Sequence, residues 1–178
     1  MYFVFLADGF EEVEALSVVD VLRRLDIDVK MVGIGKKRIK GSHSIEVNTD
    51  LSVKKALKMD VEGVILPGGL PGATNIGESR EAREIIMKVA KEGGLIASIC
   101  AAPSVIGEMG LLEGISATCY PGFEDKLLGA NVVDAKVMRD KNFITGKGPG
   151  ASLLFAYEVA EYILGQSVAE LKKAMIYE

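Results

Sequence analysis

The apolar positions of the chain alternate between two rhythms. Tyr2–Ala7 is an unbroken aromatic and β-branched run that predicts a strand, Asp8-Gly9 turns the chain, and from Glu11 to Leu25 apolar residues return at helical spacing. Ile27–Ile34 reads as a second strand. The basic, glycine-containing stretch Gly35–Ser44 carries no element in this pattern, and Val61–Leu66 is a third strand that ends in Pro67-Gly68-Gly69. Ser79 suits the N-cap of a helix to Glu92, and Leu95–Ile99 is a continuous apolar strand leading into Cys100, after which a helix is expected to open at once with Ala101. Shorter β-like pieces follow at Ile115–Thr118, Asn131–Asp134 and Lys136–Met138, with Asn142–Thr145 returning to the sheet. Pro149 opens an amphipathic helix to Leu164, and Ser167 with Glu170 predicts a capping box for a last helix through Ala174. Short, wholly apolar strands separated by amphipathic helices call for a mainly parallel sheet covered on both faces: a doubly wound α/β sandwich, one domain over residues 1–178.

Composition narrows the function classes. With 178 residues, 49% of them hydrophobic and 26% charged, the chain can bury a core without disulfide or metal staples. Its longest apolar runs fall far short of the roughly 20 residues of a membrane helix, and Asp8, Glu11 and Glu12 interrupt any secretory core, so a soluble, cytoplasmic protein is expected. A formal net charge of −4 with no basic stripe argues against nucleic acid as the primary partner. The single histidine, His43, rules out a metal site built on several histidines, and no metal or cofactor is expected.

In an open parallel sheet, chemistry gathers beyond the carboxyl ends of the strands. Cys100 falls there, at a strand-to-helix elbow where unpaired N–H groups and the helix dipole favour a thiolate. Glu14 falls within the apolar stripe of its helix, between Val21 and Leu25, so its carboxylate should face the interior near the same sheet edge with a raised pKa. Glu11 and Glu12 are expected only to complement the helix dipole. The paired glycines Gly68 and Gly69 let backbone N–H groups approach a ligand, which suits an oxyanion hole. Gly146–Gly150 fits neither a dinucleotide nor a Walker loop. Cys119, beside Tyr120, is either a resolving thiol for Cys100 or a small apolar filler.

The order and spacing of Asp8-Gly9-Phe10-Glu11-Glu12-Val13-Glu14, Asp20, Arg23-Arg24, Leu66-Pro67-Gly68-Gly69, Ser98-Ile99-Cys100-Ala101-Ala102-Pro103 and Gly148-Pro149-Gly150 resemble the DJ-1/ThiJ/PfpI superfamily, its DJ-1 branch most closely. The resemblance implies a flavodoxin-like fold related to class I glutamine amidotransferases, usually as a homodimer. It implies Cys100 as the reactive cysteine, Glu14 as the buried acid beside it, and the Gly69 and Ala101 N–H groups as oxyanion donors, with Gly68 and Tyr120 in the pocket. Glu11, Asp20, Arg24 and His43 then fall near dimer contacts. Two departures stand out: Ala102 replaces a common glycine, and Tyr120-Pro121 replaces the His-Pro step of members with hydrolytic or glyoxalase activity. The chemistry implied is cofactor-free, glutathione-independent glyoxalase or deglycase action on a small carbonyl or glycated adduct. The alternative is a non-enzymatic oxidative-stress sensor or chaperone acting through Cys100 oxidation. A PfpI-type peptidase or amidase ranks last, because a positioned histidine contributes about a hundredfold to ten-thousandfold and none is at hand.

Overall fold

A computed structural model describes residues 1–177. In chain order its elements are β1 (Tyr2–Leu6), α1 (Glu12–Arg24), β2 (Val29–Gly33), β3 (Arg38–Lys40), β4 (Glu46–Asn48), β5 (Leu51–Ser52), α2 (Val53–Ala56), β6 (Gly63–Leu66), α3 (Gly72–Glu78) and α4 (Arg80–Lys91). There follow β7 (Leu95–Ile99), α5 (Pro103–Glu108), β8 (Ser116–Ala117), β9 (Asn131–Val132), β10 (Val137–Asp140), β11 (Phe143–Gly146), α6 (Ser152–Leu164) and α7 (Ala169–Ala174).

Seven strands form one sheet in the order β10-β11-β7-β6-β1-β2-β5, parallel except for β10, which runs antiparallel to β11. Strand alternation divides the core in two. Phe3, Phe5, Val64 and Leu66 point into one apolar cluster with Ile76, Ile85 and Ile86 of α3 and α4, whereas Val4, Leu6, Ile65 and Ile99 point into the other with Val18, Leu22, Phe155 and Val159 of α1 and α6. Both faces of β1, β6 and β7 are therefore buried, which is why their sequences are apolar without interruption. The doubly wound, flavodoxin-like sandwich expected from the sequence is the observed fold. Chain order reverses between β1 and β6, and the crevice beyond their carboxyl ends is the usual ligand position in such sheets.

Local chemistry agrees at several boundaries. Ser79 Oγ accepts the Ala82 N–H at 3.2 Å and caps α4, and Gly165 closes α6 with a left-handed φ of 65°. Other expectations are corrected. The capping box is absent: α7 begins at Ala169 after an uncapped Val168, because Glu161 of α6 accepts the Val168 N–H at 3.1 Å and holds Ser167 Oγ at 3.5 Å. Gly35–Ser44 is not featureless, since β3 lies within it and pairs with β4 as a two-stranded hairpin. The helix after Cys100 starts at Pro103, with Ala101 and Ala102 in a turn, because proline suits the first helical position. A short 3₁₀ turn, Pro149–Ala151, precedes α6, and β8 pairs with β9 in a small separate sheet.

Candidate active site

Cys100 is the residue immediately past β7. Its φ of 65° lies in the left-handed region that non-glycine residues avoid, and two backbone hydrogen bonds hold it there: its N–H donates to Gly146 O and its carbonyl accepts the Tyr120 N–H, both at 2.9 Å. The ends of β7 and β11 and the loop after β8 thus meet at one strained residue. Its thiol is half-buried, and the N–H groups of Gly69 and Ala101 are directed at its sulfur.

Glu14 comes from the first turn of α1 and is 0% exposed, as its place in the apolar stripe requires. Its Oε2 accepts the Gly68 N–H at 2.7 Å, while Oε1 is buried with no hydrogen-bond partner among the described residues. An ionised carboxylate is poorly solvated there, and burial pushes Glu14 up to about 7 against the Gly68 and Cys100 hydrogen bonds. With Glu14 ionised, burial and that neighbouring charge push the Cys100 thiol up to about 12, against the Gly69 and Ala101 N–H groups. The elbow alone therefore does not make the thiolate, contrary to the expectation from helix-end geometry. The pair accommodates one negative charge, and sulfur carries it when the proton sits on Glu14.

Both loop glycines are required by space. A Cβ on Gly68 would lie 2.6 Å from Cys100 Cβ and 2.8 Å from Glu14 Oε2, and one on Gly69, where φ is 81°, would collide with the Gly9–Glu11 backbone. Ala102, by contrast, is buried with an ordinary right-handed backbone (φ −67°, ψ −27°), a conformation that needs no glycine. Tyr120 is exposed, its ring beside Gly148. Cys119 is buried among apolar groups on the cluster opposite Glu14, it is not bonded to Cys100, and burial pushes its thiol up to about 11; it fits the filler role.

The four residues expected near a dimer contact divide into two pairs. Asp20 and Arg24 form an exposed ion pair along α1 at 2.7 Å, whereas Glu11 and His43 meet at 3.5 Å where the β3–β4 hairpin folds back on the start of α1. Between them is Glu12, whose importance the sequence reading missed. It is 5% exposed and accepts hydrogen bonds from the His43 N–H (2.8 Å), the His43 ring (3.0 Å) and Ser42 Oγ (3.1 Å). Burial pushes its carboxyl up, but these bonds outweigh that and hold it at about 2.

A hollow of about 190 Å³ next to Ala101 is lined by Leu70, Ala73, Ala101, Ser104 and Phe123 together with the charged Glu78, Arg83, Glu108 and Lys126, but neither Cys100 nor Glu14 is in its wall. Larger hollows, about 540 Å³ at the ends of β1 and β2 and about 830 Å³ along α4, likewise include neither Cys100 nor Glu14, and one of about 380 Å³ has Cys119 in its lining.

The sequence model of the DJ-1/PfpI family matches residues 2–162. The chain belongs to the DJ-1/PfpI family. It is 37% identical over 177 residues to protein dj-1beta of Drosophila melanogaster, covering 97% of this chain and 95% of that one. A solved mutant of a DJ-1 superfamily protein from Salmonella typhimurium superposes with a TM-score of 0.95 at 31% identity, covering 99% and 98% of the two chains. A Pyrococcus abyssi protein named a deglycase is 34% identical over 147 residues (81% of this chain, 87% of that one). A Caenorhabditis elegans protein named a glutathione-independent glyoxalase is 32% identical over 160 residues (87% and 83%).

Proposed function

We propose that this DJ-1-type protein is a cofactor-free enzyme for small reactive carbonyls, 2-oxoaldehydes of the methylglyoxal kind or the adducts they form on amines and thiols. The observation that carries it is the pairing of a fully buried Glu14, one oxygen of which lacks a hydrogen-bond partner among the described residues, with a half-buried thiol on a strained elbow. With the proton on Glu14, the Cys100 thiolate adds to the aldehyde carbon. The oxygen of the adduct turns to the Gly69 and Ala101 N–H groups and takes the Glu14 proton, giving a hemithioacetal. The Glu14 carboxylate then removes the proton on that carbon and returns it to the neighbouring one through an enediol, so that the aldehyde carbon is oxidised as the ketone carbon is reduced. Water cleaves the resulting thioester, releasing a 2-hydroxyacid and restoring the thiol. The relatives named deglycase and glyoxalase support this substrate class.

A second reading, a redox sensor in which Cys100 is oxidised to a sulfinate, draws on one observation: the chain's single histidine is engaged with Glu11 and Glu12 rather than with the thiol, and Tyr120 stands at the elbow instead. Lactate release from methylglyoxal without glutathione separates the two. Repeated turnover in the wild type, lost in Cys100→Ala and Glu14→Gln, is the expected result. Aldehyde consumption that stops at one equivalent, with peroxide adding two oxygens to Cys100, favours the sensor. Under either reading the chain is expected to form a homodimer with Glu11, Asp20, Arg24 and His43 near the contact, which sedimentation at equilibrium checks.

A further inference from the structure

The two bonds that hold Cys100 in its left-handed conformation both lead back to one end of β11. The Cys100 N–H donates to Gly146 O directly, and the Tyr120 N–H that meets the Cys100 carbonyl belongs to a segment tied to Thr145, the residue before Gly146. Residues 116–120 turn alternate N–H groups toward the main sheet. The Ser116 N–H donates to Asp140 Oδ2 at 2.8 Å, the Thr118 N–H to Thr145 Oγ1 at 2.9 Å, and the Tyr120 N–H to the Cys100 carbonyl at 2.9 Å. Asp140 is on β10, Thr145 on β11 and Cys100 at the end of β7, and these three strands are neighbours, so the segment crosses them obliquely and is attached once to each. Its own backbone ladder is with β9 in a separate sheet, so side-chain oxygens make the first two attachments to the main one.

Thr145 is the middle attachment. It is 2% exposed and lies beside Ile144 in a strand where valine would suit the backbone equally well, so the hydroxyl is there for its bond rather than for strand propensity. Thr118 is equally buried, and its own hydroxyl donates to Ala135 O at 3.0 Å, which fixes the other side of the segment. We propose that Thr145 is a positioning residue for the Cys100 thiol: its hydroxyl fixes the segment that holds the Cys100 carbonyl, while Gly146 holds the Cys100 N–H, so that one dipeptide sets both ends of the strained elbow.

With both ends fixed, the sulfur faces the Gly69 and Ala101 N–H groups, the contacts that favour the thiolate against burial and the Glu14 charge. Loss of the Thr145 acceptor leaves the Thr118 N–H unpaired in apolar surroundings, and the segment recovers a partner by moving toward water, taking the Tyr120 N–H with it. Cys100 then relaxes out of the left-handed region and its sulfur turns from those N–H groups. The inference rests on Cys100 as the reacting residue of the function proposed above, but Thr145 has no step in the carbonyl chemistry and acts through Gly146 and Tyr120.

Alkylation of Cys100 by iodoacetamide as a function of pH tests it, with peptide mass mapping to score Cys119 separately. Alkylation needs only the thiolate, so the positioning role and methylglyoxal turnover stand or fall separately. Thr145→Val keeps the side-chain shape and loses the acceptor; Thr145→Ser keeps the acceptor. The expected result is a pH midpoint about one unit higher in Thr145→Val, with alkylation about tenfold slower below it, and the wild-type profile in Thr145→Ser. Val89→Ala, beside Gly94 at the far end of β7, lowers stability by a core truncation and is expected to keep the wild-type profile. Thr145→Ala leaves room for a water on the Thr118 N–H, which keeps the test open if the valine variant does not fold, and is expected to slow alkylation about threefold. A wild-type profile in Thr145→Val or Thr145→Ala overturns the proposal. So does an equal shift in Thr145→Ser or in Val89→Ala, which would mean that packing or overall stability, and not the hydroxyl, governs the thiol.

Discussion

Glu14 and Cys100, far apart in the chain, meet across Gly68: its N–H donates to Glu14 Oε2 at 2.7 Å, and a Cβ in its place would fall 2.6 Å from Cys100 Cβ. One residue without a side chain thus sets the distance between acid and thiol. Gly68→Ala is expected to leave the chain folded but to force the pair apart, reducing turnover of methylglyoxal at least a hundredfold through lost alignment. Steady-state kinetics beside a circular dichroism spectrum checks it.

Glu14 should make stability fall as pH rises. The folded chain holds this proton to about pH 7, against the ordinary value of 4.5 expected when unfolded, so the native state binds more protons between those limits. The cost of an ionised Glu14 above pH 7 is on the order of 3 kcal/mol. Glu14→Gln removes this slope and is expected to be more stable than wild type at pH 8, with the two converging near pH 4. Urea unfolding across that range measures it, and parallel curves for the two proteins would contradict it.

Glu12 works in the opposite direction. Its folded value of about 2 lies below the ordinary 4.5, so its contribution is present above pH 4.5 and is lost as pH falls through about 2. Glu12→Gln is expected to lose about 1 to 2 kcal/mol at pH 7, after allowance for nearby solvent, and to converge on wild type only as pH falls below about 2. His43, raised by its hydrogen bond to Glu12 and by the Glu11 charge, adds stability that is full below its ordinary value of 6.5 and fades above it.

The elbow stores strain that a pair of substitutions can read. At φ 65° a glycine is at ease and an alanine is not, so Cys100→Gly should be about 1 kcal/mol more stable than Cys100→Ala, although both lack the thiol. Thermal unfolding of the two variants side by side gives the difference.

A base placed at position 120, whose backbone N–H bonds the Cys100 carbonyl, tests whether proton transfer limits the proposed reaction. Tyr120→His is expected to raise lactate production above wild type by up to about a hundredfold near pH 7, because a positioned imidazole can act as a general base there. An unchanged rate would show that Glu14 alone limits the proton transfers.

The sheet was legible because both faces of β1, β6 and β7 are buried, which leaves apolar runs with no competing reading. Glu14 was legible for a related reason, as a charge inside an apolar helical stripe. Glu12 was not. Its burial comes from a hairpin whose strands are three residues each and whose buried set is little more than Ile39, too short to show a period. Without that hairpin its carboxylate has no visible partner in the sequence. Ser167 failed as a cap for the converse reason: the pattern was present locally, but Glu161 from the preceding helix took the groups it needed. The proton balance of Cys100 also depends on a contact distant in sequence, since the charge of Glu14 counters the elbow N–H groups.

The main sheet ends in β5, two residues long, and in the antiparallel β10, which carries Arg139 and Asp140. Neither margin offers a long, flat, apolar ladder to which another chain could add a strand. Crowding at high concentration is therefore poorly placed to drive fibril-like stacking through the main sheet, and the surfaces left for self-association are those of the helices, the loops and the two small two-stranded sheets.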